Sequence, residues 1–155
     1  MAAPAKRMGM LSLGFCSLLI ACSNSEQPLA PQPLPPEYGT VLSTDTFSGA
    51  YVGIAATTPP TVLAWRVLLA HPDADRIFKQ LLADATLPGQ LYGLAGVYFT
   101  DPPAFEALAA PYLVRGDTIW TQFGCIVSLD PARMIAGRIL DGTLPAELRG
   151  AQSGR

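Results

Sequence analysis

This sequence has few of the side chains on which enzyme chemistry depends. It contains one histidine and three cysteines, and only 14% of its residues are charged. It has no Gly-x-Ser-x-Gly elbow, no glycine-rich phosphate loop and no His-Glu-x-x-His pair. Few side chains are therefore available for nucleophilic or metal-assisted catalysis. We expect neither an enzyme nor a bound cofactor.

The N-terminus, by contrast, has the order of features typical of an exported protein. An apolar run from Met8 to Ile20 follows the cations Lys6 and Arg7 and leads into the small residue Ala21. At about 13 residues the run is too short to span a hydrocarbon core, which needs about 20. The run is typical of a signal segment and not of a membrane anchor.

The end of this run, Leu19-Ile20-Ala21-Cys22, resembles the lipobox of bacterial lipoproteins. The resemblance implies cleavage between Ala21 and Cys22, acylation of the Cys22 thiol and attachment of the new N-terminus to a membrane by lipid. Ser23 in place of aspartate favours, in the enteric pattern, the outer membrane, with the protein facing the periplasm or the surface. The alternatives are an ordinary secretory peptide with an incidental cysteine and a buried N-terminal helix.

Such processing would leave an acidic chain with one free cysteine. Loss of Lys6 and Arg7 takes the formal net charge from −2 to about −4, which argues against a nucleic-acid partner. Cys16 lies in the signal segment and Cys22 would carry lipid, so Cys125 has no partner for an internal disulfide. Because the neighbours of Cys125 in the chain are apolar, we expect a buried structural thiol.

Composition divides the chain into four segments. We predict a signal peptide over 1–21, a lipidated tether over 22–37, a single helical domain over 38–150 and a disordered tail over 151–155. The tether contains five prolines, which favour an extended polyproline-like conformation over a packed core. A proline-rich recognition ligand is the alternative function for this segment.

Apolar residues recur at helical spacing through most of the predicted domain, and the segments begin at prolines or aspartates. The segment from Asp73 to Asp84 is the most amphipathic. Asp45 could cap a further helix in which Phe47 and Tyr51 share one face, although Gly49 weakens it. We predict helices beginning near Asp45 and over 60–70, 73–84, 90–100, 101–111 and 130–142.

The helices of residues 60–113 form two pairs, in each of which a mostly buried helix precedes a second helix with a single apolar face. Trp65 and Tyr92 occupy corresponding positions 27 residues apart. Such antiparallel pairs resemble HEAT-type α-solenoid units. The sequence predicts a mainly α fold, either a small helical bundle or a short α-solenoid of helix pairs. The β-branched and aromatic residues near 117–128 permit a short β-hairpin.

One cluster of possible metal ligands lies between two predicted helices. His71, Asp73 and Asp75 place an imidazole and two carboxylates within five residues. Neither the zinc nor the calcium spacing pattern is matched, however. The alternative is that His71 lies at the C-terminal end of one helix and the carboxylates favour the N-terminal dipole of the next.

A second candidate site is a face of small residues on the predicted helix 90–100. Gly89, Gly93 and Gly96 lie near Tyr92, and each glycine costs a helix about 1 kcal/mol. A stabilising contact should compensate for this loss of helix stability. Close helix packing is one explanation, and a shallow apolar groove for a peptide or a partner helix is the other.

Together these observations favour a non-enzymatic helical module that is held at a membrane by its N-terminal lipid and binds another envelope protein or peptide. A lipoprotein immunity or inhibitor protein is one alternative. A small metal-dependent hydrolase that uses His71, Asp73 and Asp75 is another.

Overall fold

The computed structural model describes residues 33–150, and seven helices and three strands occupy 59% and 18% of that range. Ala21 and Cys22, the tail 151–155 and most of the predicted tether lie outside the described residues. The described chain has a mixed α/β fold. The expectation of a mainly α bundle or solenoid is therefore wrong.

The order of elements separates the first strand from the other two along the chain. The first strand is followed by four helices, then by two consecutive strands and two final helices. The elements are α1 (Pro36–Leu42), β1 (Thr46–Val52), α2 (Pro60–Leu69), α3 (Ala74–Asp84), α4 (Leu87–Thr100), α5 (Pro102–Leu113), β2 (Thr118–Gly124), β3 (Ile126–Pro131), α6 (Ala132–Leu140) and α7 (Thr143–Arg149).

The three strands form one sheet in the order β1-β2-β3. β1 runs parallel to β2, with Phe47 beside Thr121, and β2 runs antiparallel to β3, with Thr121 opposite Ser128. Parallel neighbours require a long crossover connection, which α2 to α5 provide. The hairpin expected near 117–128 is present as β2 and β3, but it forms two thirds of a larger sheet.

Helix α4 lies at the centre of the core and contacts the sheet as well as helices α1 to α3 and α5 to α7. Tyr92 on this helix stacks on Phe47 of β1 with ring centroids 4.4 Å apart. The Trp65 indole N–H of α2 donates to the carbonyl oxygen of Tyr92 over 2.9 Å. A helix that is apolar over most of its circumference is expected in such a buried position, and α4 joins the sheet to the helices.

The segment after Asp45, predicted as a helix, is strand β1, and this prediction is wrong. Phe47 and Tyr51 fit the four-residue spacing of a helix face, but Phe47 is fully buried and Tyr51 is 43% exposed. A β-carbon on Gly49 would lie 2.8 Å from the Phe123 ring, so glycine permits close approach to β2. A long-range contact between strands, absent from local spacing, decides the structure here.

Other element boundaries differ slightly from the predictions. Helix α1 begins at Pro36, within the predicted tether, and Leu34 already packs against the core. Pro111 lies inside α5, which continues to Leu113. The helices of the supposed repeat do not stack as separate pairs, because α3 packs more extensively on α4 than on α2. Within residues 33–150, no helix is long and apolar enough to cross a membrane.

Candidate binding surface

The three residues considered as metal ligands each have a local partner. The His71 Nδ1 accepts from the backbone N–H of Asp73 at 3.0 Å, and Asp73 pairs with Arg76 at 3.2 Å. Asp75 lies 3.0 Å from the Lys79 ammonium. Among the described residues, no group of three ligating side chains is arranged to hold a metal ion. The observed pairs match the helix-end alternative.

The predicted groove at Gly89, Tyr92, Gly93 and Gly96 is not open to solvent. All four residues are buried in α4. A β-carbon on Gly89 would lie 2.6 Å from the carbonyl oxygen of Val41 in α1. One on Gly96 would lie 2.3 Å from the Phe78 ring of α3. The small residues therefore serve close helix packing, and the groove interpretation is wrong.

The hairpin formed by β2 and β3 presents an apolar surface to solvent instead. Side chains alternate across a sheet, and on the outer face of the hairpin six positions are uncharged. Three large apolar side chains there are about half exposed: Trp120 at 54%, Val127 at 58% and Leu129 at 54%. Trp120 pairs directly with Leu129 across the strands. The six outer positions are Thr118, Trp120, Gln122, Val127, Leu129 and Pro131.

A tight turn fixes which backbone groups of β3 face outward. Phe123 pairs with Ile126, which leaves two residues in the turn, and Gly124 has φ +58°. Glycine at the first of two turn residues is typical of a type II′ hairpin, whose closing pair is hydrogen-bonded. Because hydrogen-bonded pairs alternate along an antiparallel ladder, the N–H and C=O groups of Val127 and Leu129 point away from β2.

The two edges of the sheet differ. On β1, the Tyr92 hydroxyl accepts from the Ser48 N–H at 2.8 Å and donates to the Ser48 carbonyl oxygen at 2.9 Å. Glu147 of α7 accepts from the Ala50 N–H at 3.2 Å. No described element outside the hairpin makes a hydrogen bond to the backbone of Val127 or Leu129. Among the described residues, the β1 edge is therefore covered at Ser48 and Ala50, and the β3 edge is open.

Polar side chains on the inner face hold β3 in register with β2. The carboxylate of Asp130 accepts from the hydroxyls of Thr121 at 2.5 Å and Ser128 at 2.7 Å. The hydrogen bond from Thr121, and to a smaller extent the one from Ser128, holds the pKa of the Asp130 carboxyl below its usual range. Thr121 is fully buried. The open edge is thus part of a well-anchored hairpin.

Apolar side chains also extend from the end of the sheet. The Gly53 N–H donates to the Gly124 carbonyl oxygen at 2.8 Å, which places the turn after β1 beside the hairpin turn. Ile54 is 98% exposed and Ile126 is 70% exposed. Cys125 is also exposed, so the expectation of a buried thiol is wrong. It lies in a turn, where its apolar neighbours do not enclose it.

Two clefts lie elsewhere on the described part of the chain. One, of about 420 Å³, is lined mainly by Tyr98, Phe105 and Leu140. The other, of about 290 Å³, lies at the ends of α2 and α7 and is lined by Arg66 and Arg149. Both arginines lie in the last turns of their helices, where cations favour the helix dipole.

The outer face of the hairpin was not among the sites proposed from the sequence. The alternation of Trp120 with Ile119 and Thr121 predicts a strand, but it does not show which face the helices cover. Ile119 is buried and Trp120 is exposed, so among the described residues one face of the hairpin is covered and the other is not. The covered face depends on tertiary packing, which local periodicity does not show.

Comparison with known proteins adds no family to this description. No protein-family model, curated protein or solved structure matches the chain.

Proposed function

We propose that this protein is a lipid-anchored, non-enzymatic protein of the bacterial cell envelope that binds another envelope protein or peptide through its β2–β3 hairpin. The observation that carries the proposal is the uncharged outer face around Trp120, Val127 and Leu129, each about half exposed. The anchor rests on the lipobox-like sequence that ends at Cys22.

The composition of this face suits protein recognition. A tryptophan side chain offers a large apolar area and often contributes strongly to interface energy. Depletion of charge is characteristic of the central part of an interface. Trp120 and Leu129 are directly paired across two strands, so they form a patch and not scattered exposed residues.

The backbone of the hairpin adds a second means of recognition. An open edge with outward N–H and C=O groups at Val127 and Leu129 can pair with an extended segment, while neighbouring side chains supply specificity. Asp130, with its hydroxyl donors on both strands, keeps this edge ordered. The surface needs little rearrangement before it binds, which reduces the entropic cost of association.

Site-specific photo-crosslinking in intact cells tests this function. A photoreactive residue at position 120 should yield a discrete adduct with another envelope component, and Leu129→Lys should remove the adduct. The matched control is the same residue at position 63, because Leu63 is 51% exposed on α2, outside the hairpin. Identical adducts at both positions, or none sensitive to Leu129→Lys, would contradict the proposal.

The identity of the adduct distinguishes the kinds of binding protein. A structural envelope component would support the scaffold role. A toxin or a lytic enzyme would assign the same surface to an immunity or inhibitor protein. Binding of the purified partner should then weaken in Trp120→Ala and persist in Leu63→Ala.

A further inference from the structure

Two cations at the ends of α2 and α7, Arg66 and Arg149, have no acidic partner among residues 33–150. The ion pairs of that range involve other cations, namely Arg76, Lys79, Arg115 and Arg138. Arg66 and Arg149 instead line one cleft of about 290 Å³, together with Leu69 and Ala70, and no carboxylate belongs to this lining. These four residues define the arginine cleft, a place of uncompensated positive charge on a chain with a formal net charge of −2.

The guanidinium of Arg66 is only partly hydrogen-bonded. Its Nε donates to the carbonyl oxygen of Leu148 over 2.7 Å. One terminal nitrogen, Nη2, is buried and has no acceptor among the described residues. A buried donor without an acceptor costs free energy, and native structures usually supply a protein group, a water molecule or an ion. We therefore expect an acceptor that the described chain does not provide.

The guanidinium of Arg149 is held in place without being neutralised. It lies over the Phe99 ring, 5.1 Å from the ring centroid. Such a contact attracts the cation to the face of the ring and leaves its N–H groups available. The residue as a whole is exposed. Arg149 can thus offer charge and hydrogen-bond donors to a ligand in the arginine cleft.

Carbonyl oxygens at the helix ends account for only part of this charge. At the end of α7, the Gly150 N–H donates to the carbonyl oxygen of Glu147 at 2.9 Å, and the Arg66 Nε occupies that of Leu148. At the end of α2, the Ala70 N–H donates to the carbonyl oxygen of Arg66 at 3.2 Å. The helix ends therefore use the Arg66 Nε, and they leave its Nη2 without an acceptor.

We propose that the arginine cleft binds phosphate, either free or as a small phosphate monoester. A monoester carries close to two negative charges and three terminal acceptor oxygens. One such group can neutralise both arginines and accept hydrogen bonds from two guanidinium forks, whereas a carboxylate supplies one charge and two oxygens in one plane. The cleft lies at the small end of the range of ligand sites, about 300–1,000 Å³, so the ligand is small.

Binding should move the side chain of Arg149. The Arg66 Nη2 is buried near the end of α7, because a β-carbon on Gly150 would lie 3.6 Å from it. A phosphate oxygen can reach this nitrogen only when a neighbouring group shifts. Arg149 is the exposed, long side chain of the lining, so it is expected to turn from the Phe99 ring toward the ligand.

Nuclear magnetic resonance of the full-length protein tests this site, with methyl phosphate as the probe. At about pH 8 and constant ionic strength, where a monoester is almost fully dianionic, the Nε–Hε signals of Arg66 and Arg149 should shift and saturate. The same signal of Arg133, an exposed arginine of α6 outside the cleft, should stay in place. Equal shifts at all three arginines would show charge screening alone and overturn the proposal.

Two other anions test the choice of ligand. Dimethyl phosphate, a diester like the phosphate of a phospholipid headgroup, and acetate each carry one charge. Both should bind about tenfold or more weakly than methyl phosphate, because they leave one arginine without a counter-charge. Equal or tighter binding of dimethyl phosphate would assign the cleft to a lipid headgroup, and the same result with acetate would assign it to a carboxylate. Either outcome would refute the phosphate monoester.

Substitutions test the two arginines separately. Arg149→Gln should weaken methyl phosphate binding about tenfold or more, whereas Arg133→Gln, which removes the same charge elsewhere, should leave it unchanged. Arg66→Lys keeps the charge but loses the planar fork, so it should also weaken binding. If this variant fails to fold without its bond to Leu148, Arg149→Gln still decides the question. Unchanged affinity in Arg149→Gln would contradict the site.

The arginine cleft lies outside the hairpin of the proposed function and does not depend on the lipid anchor. Leu129→Lys and Cys22→Ser should therefore leave the affinity for methyl phosphate unchanged. Failure of the partner-binding role would leave this site standing, and failure of this site would leave that role standing. Loss of methyl phosphate binding in Leu129→Lys would place the ligand on the hairpin and refute the arginine cleft.

Discussion

The Tyr92 hydroxyl both accepts from the N–H and donates to the carbonyl oxygen of Ser48, at 2.8 and 2.9 Å. The Tyr92 side chain of α4 thus forms hydrogen bonds with both backbone groups of Ser48 on the outer edge of β1. Burial raises the pKa of Tyr92, although its bonds to Ser48 act in the opposite direction. The phenol therefore stays protonated and able to donate. This contact fixes α4 to the sheet and covers the β1 edge.

Tyr92→Phe should destabilise the fold by about 1–3 kcal/mol, because the buried Ser48 N–H and carbonyl oxygen lose their partner. Urea unfolding followed by circular dichroism measures the change. Tyr51→Phe is the matched control, since Tyr51 is 43% exposed on the same strand. Equal stability of the two variants would show that the hydroxyl contact is not important to the fold.

Gly96→Ala should destabilise the fold by about 1–3 kcal/mol through overpacking, because the new methyl group would meet the fully buried Phe78 ring. Gly137→Ala in α6 should instead stabilise by about 0.5–1 kcal/mol, since alanine favours helix and no atom of a neighbouring element lies within 4 Å. Thermal unfolding compares the two. Stabilisation by Gly96→Ala would contradict the observed helix packing.

The helices could be predicted from sequence because their signals are local. Asp101 shows this: its carboxylate accepts from the Ala104 N–H at 3.2 Å and caps α5, which begins at the following proline. Asp73 precedes α3, and Pro60 begins α2. The residues that cap a helix and the apolar residues that form its buried face lie close together in the chain, so both can be recognised in a single sequence.

The sheet could not be predicted in the same way, because its decisive contacts are distant in the chain. Phe47 pairs in register with Thr121 and stacks on Tyr92, yet neither residue lies near it in sequence. The spacing of Phe47 and Tyr51 fits a helix as well as a strand. The candidate surface on the hairpin depends on the same long-range packing, so it could not be predicted from the sequence.

Stability should also depend on pH through Asp130. Its pKa is lowered in the folded state by the hydroxyls of Thr121 and Ser128, so its contribution to stability is fully present above the unfolded value, about 3.9. That contribution is lost as the pH falls through the lower, folded value. Denaturant unfolding at pH values from about 6 to about 2 measures this loss. The free energy of unfolding should fall more steeply with decreasing pH in the natural protein than in Asp130→Asn.

The control for this prediction is Glu106→Gln, because Glu106 is an exposed residue of α5. It should follow the pH dependence of the natural protein. If Asp130→Asn gave the same pH profile, the hydroxyl bonds could not be what stabilises the ionised carboxylate. Hydrogen exchange at β3 should report the loss locally, since Asp130 links this strand to Thr121 of β2.

The proposed membrane anchor depends on Cys22. The sequence has no excess of cations to hold it at an anionic surface, so in the proposed lipoprotein the lipid would supply the membrane affinity. Each buried methylene contributes about 0.8 kcal/mol, and stable anchoring requires at least two chains or a second signal. Cys22→Ser should therefore abolish fatty-acid labelling and release the protein from the membrane fraction. Cys16→Ser, within the signal segment, should change neither. Normal membrane fractionation of Cys22→Ser after signal cleavage would refute the proposed lipid anchor.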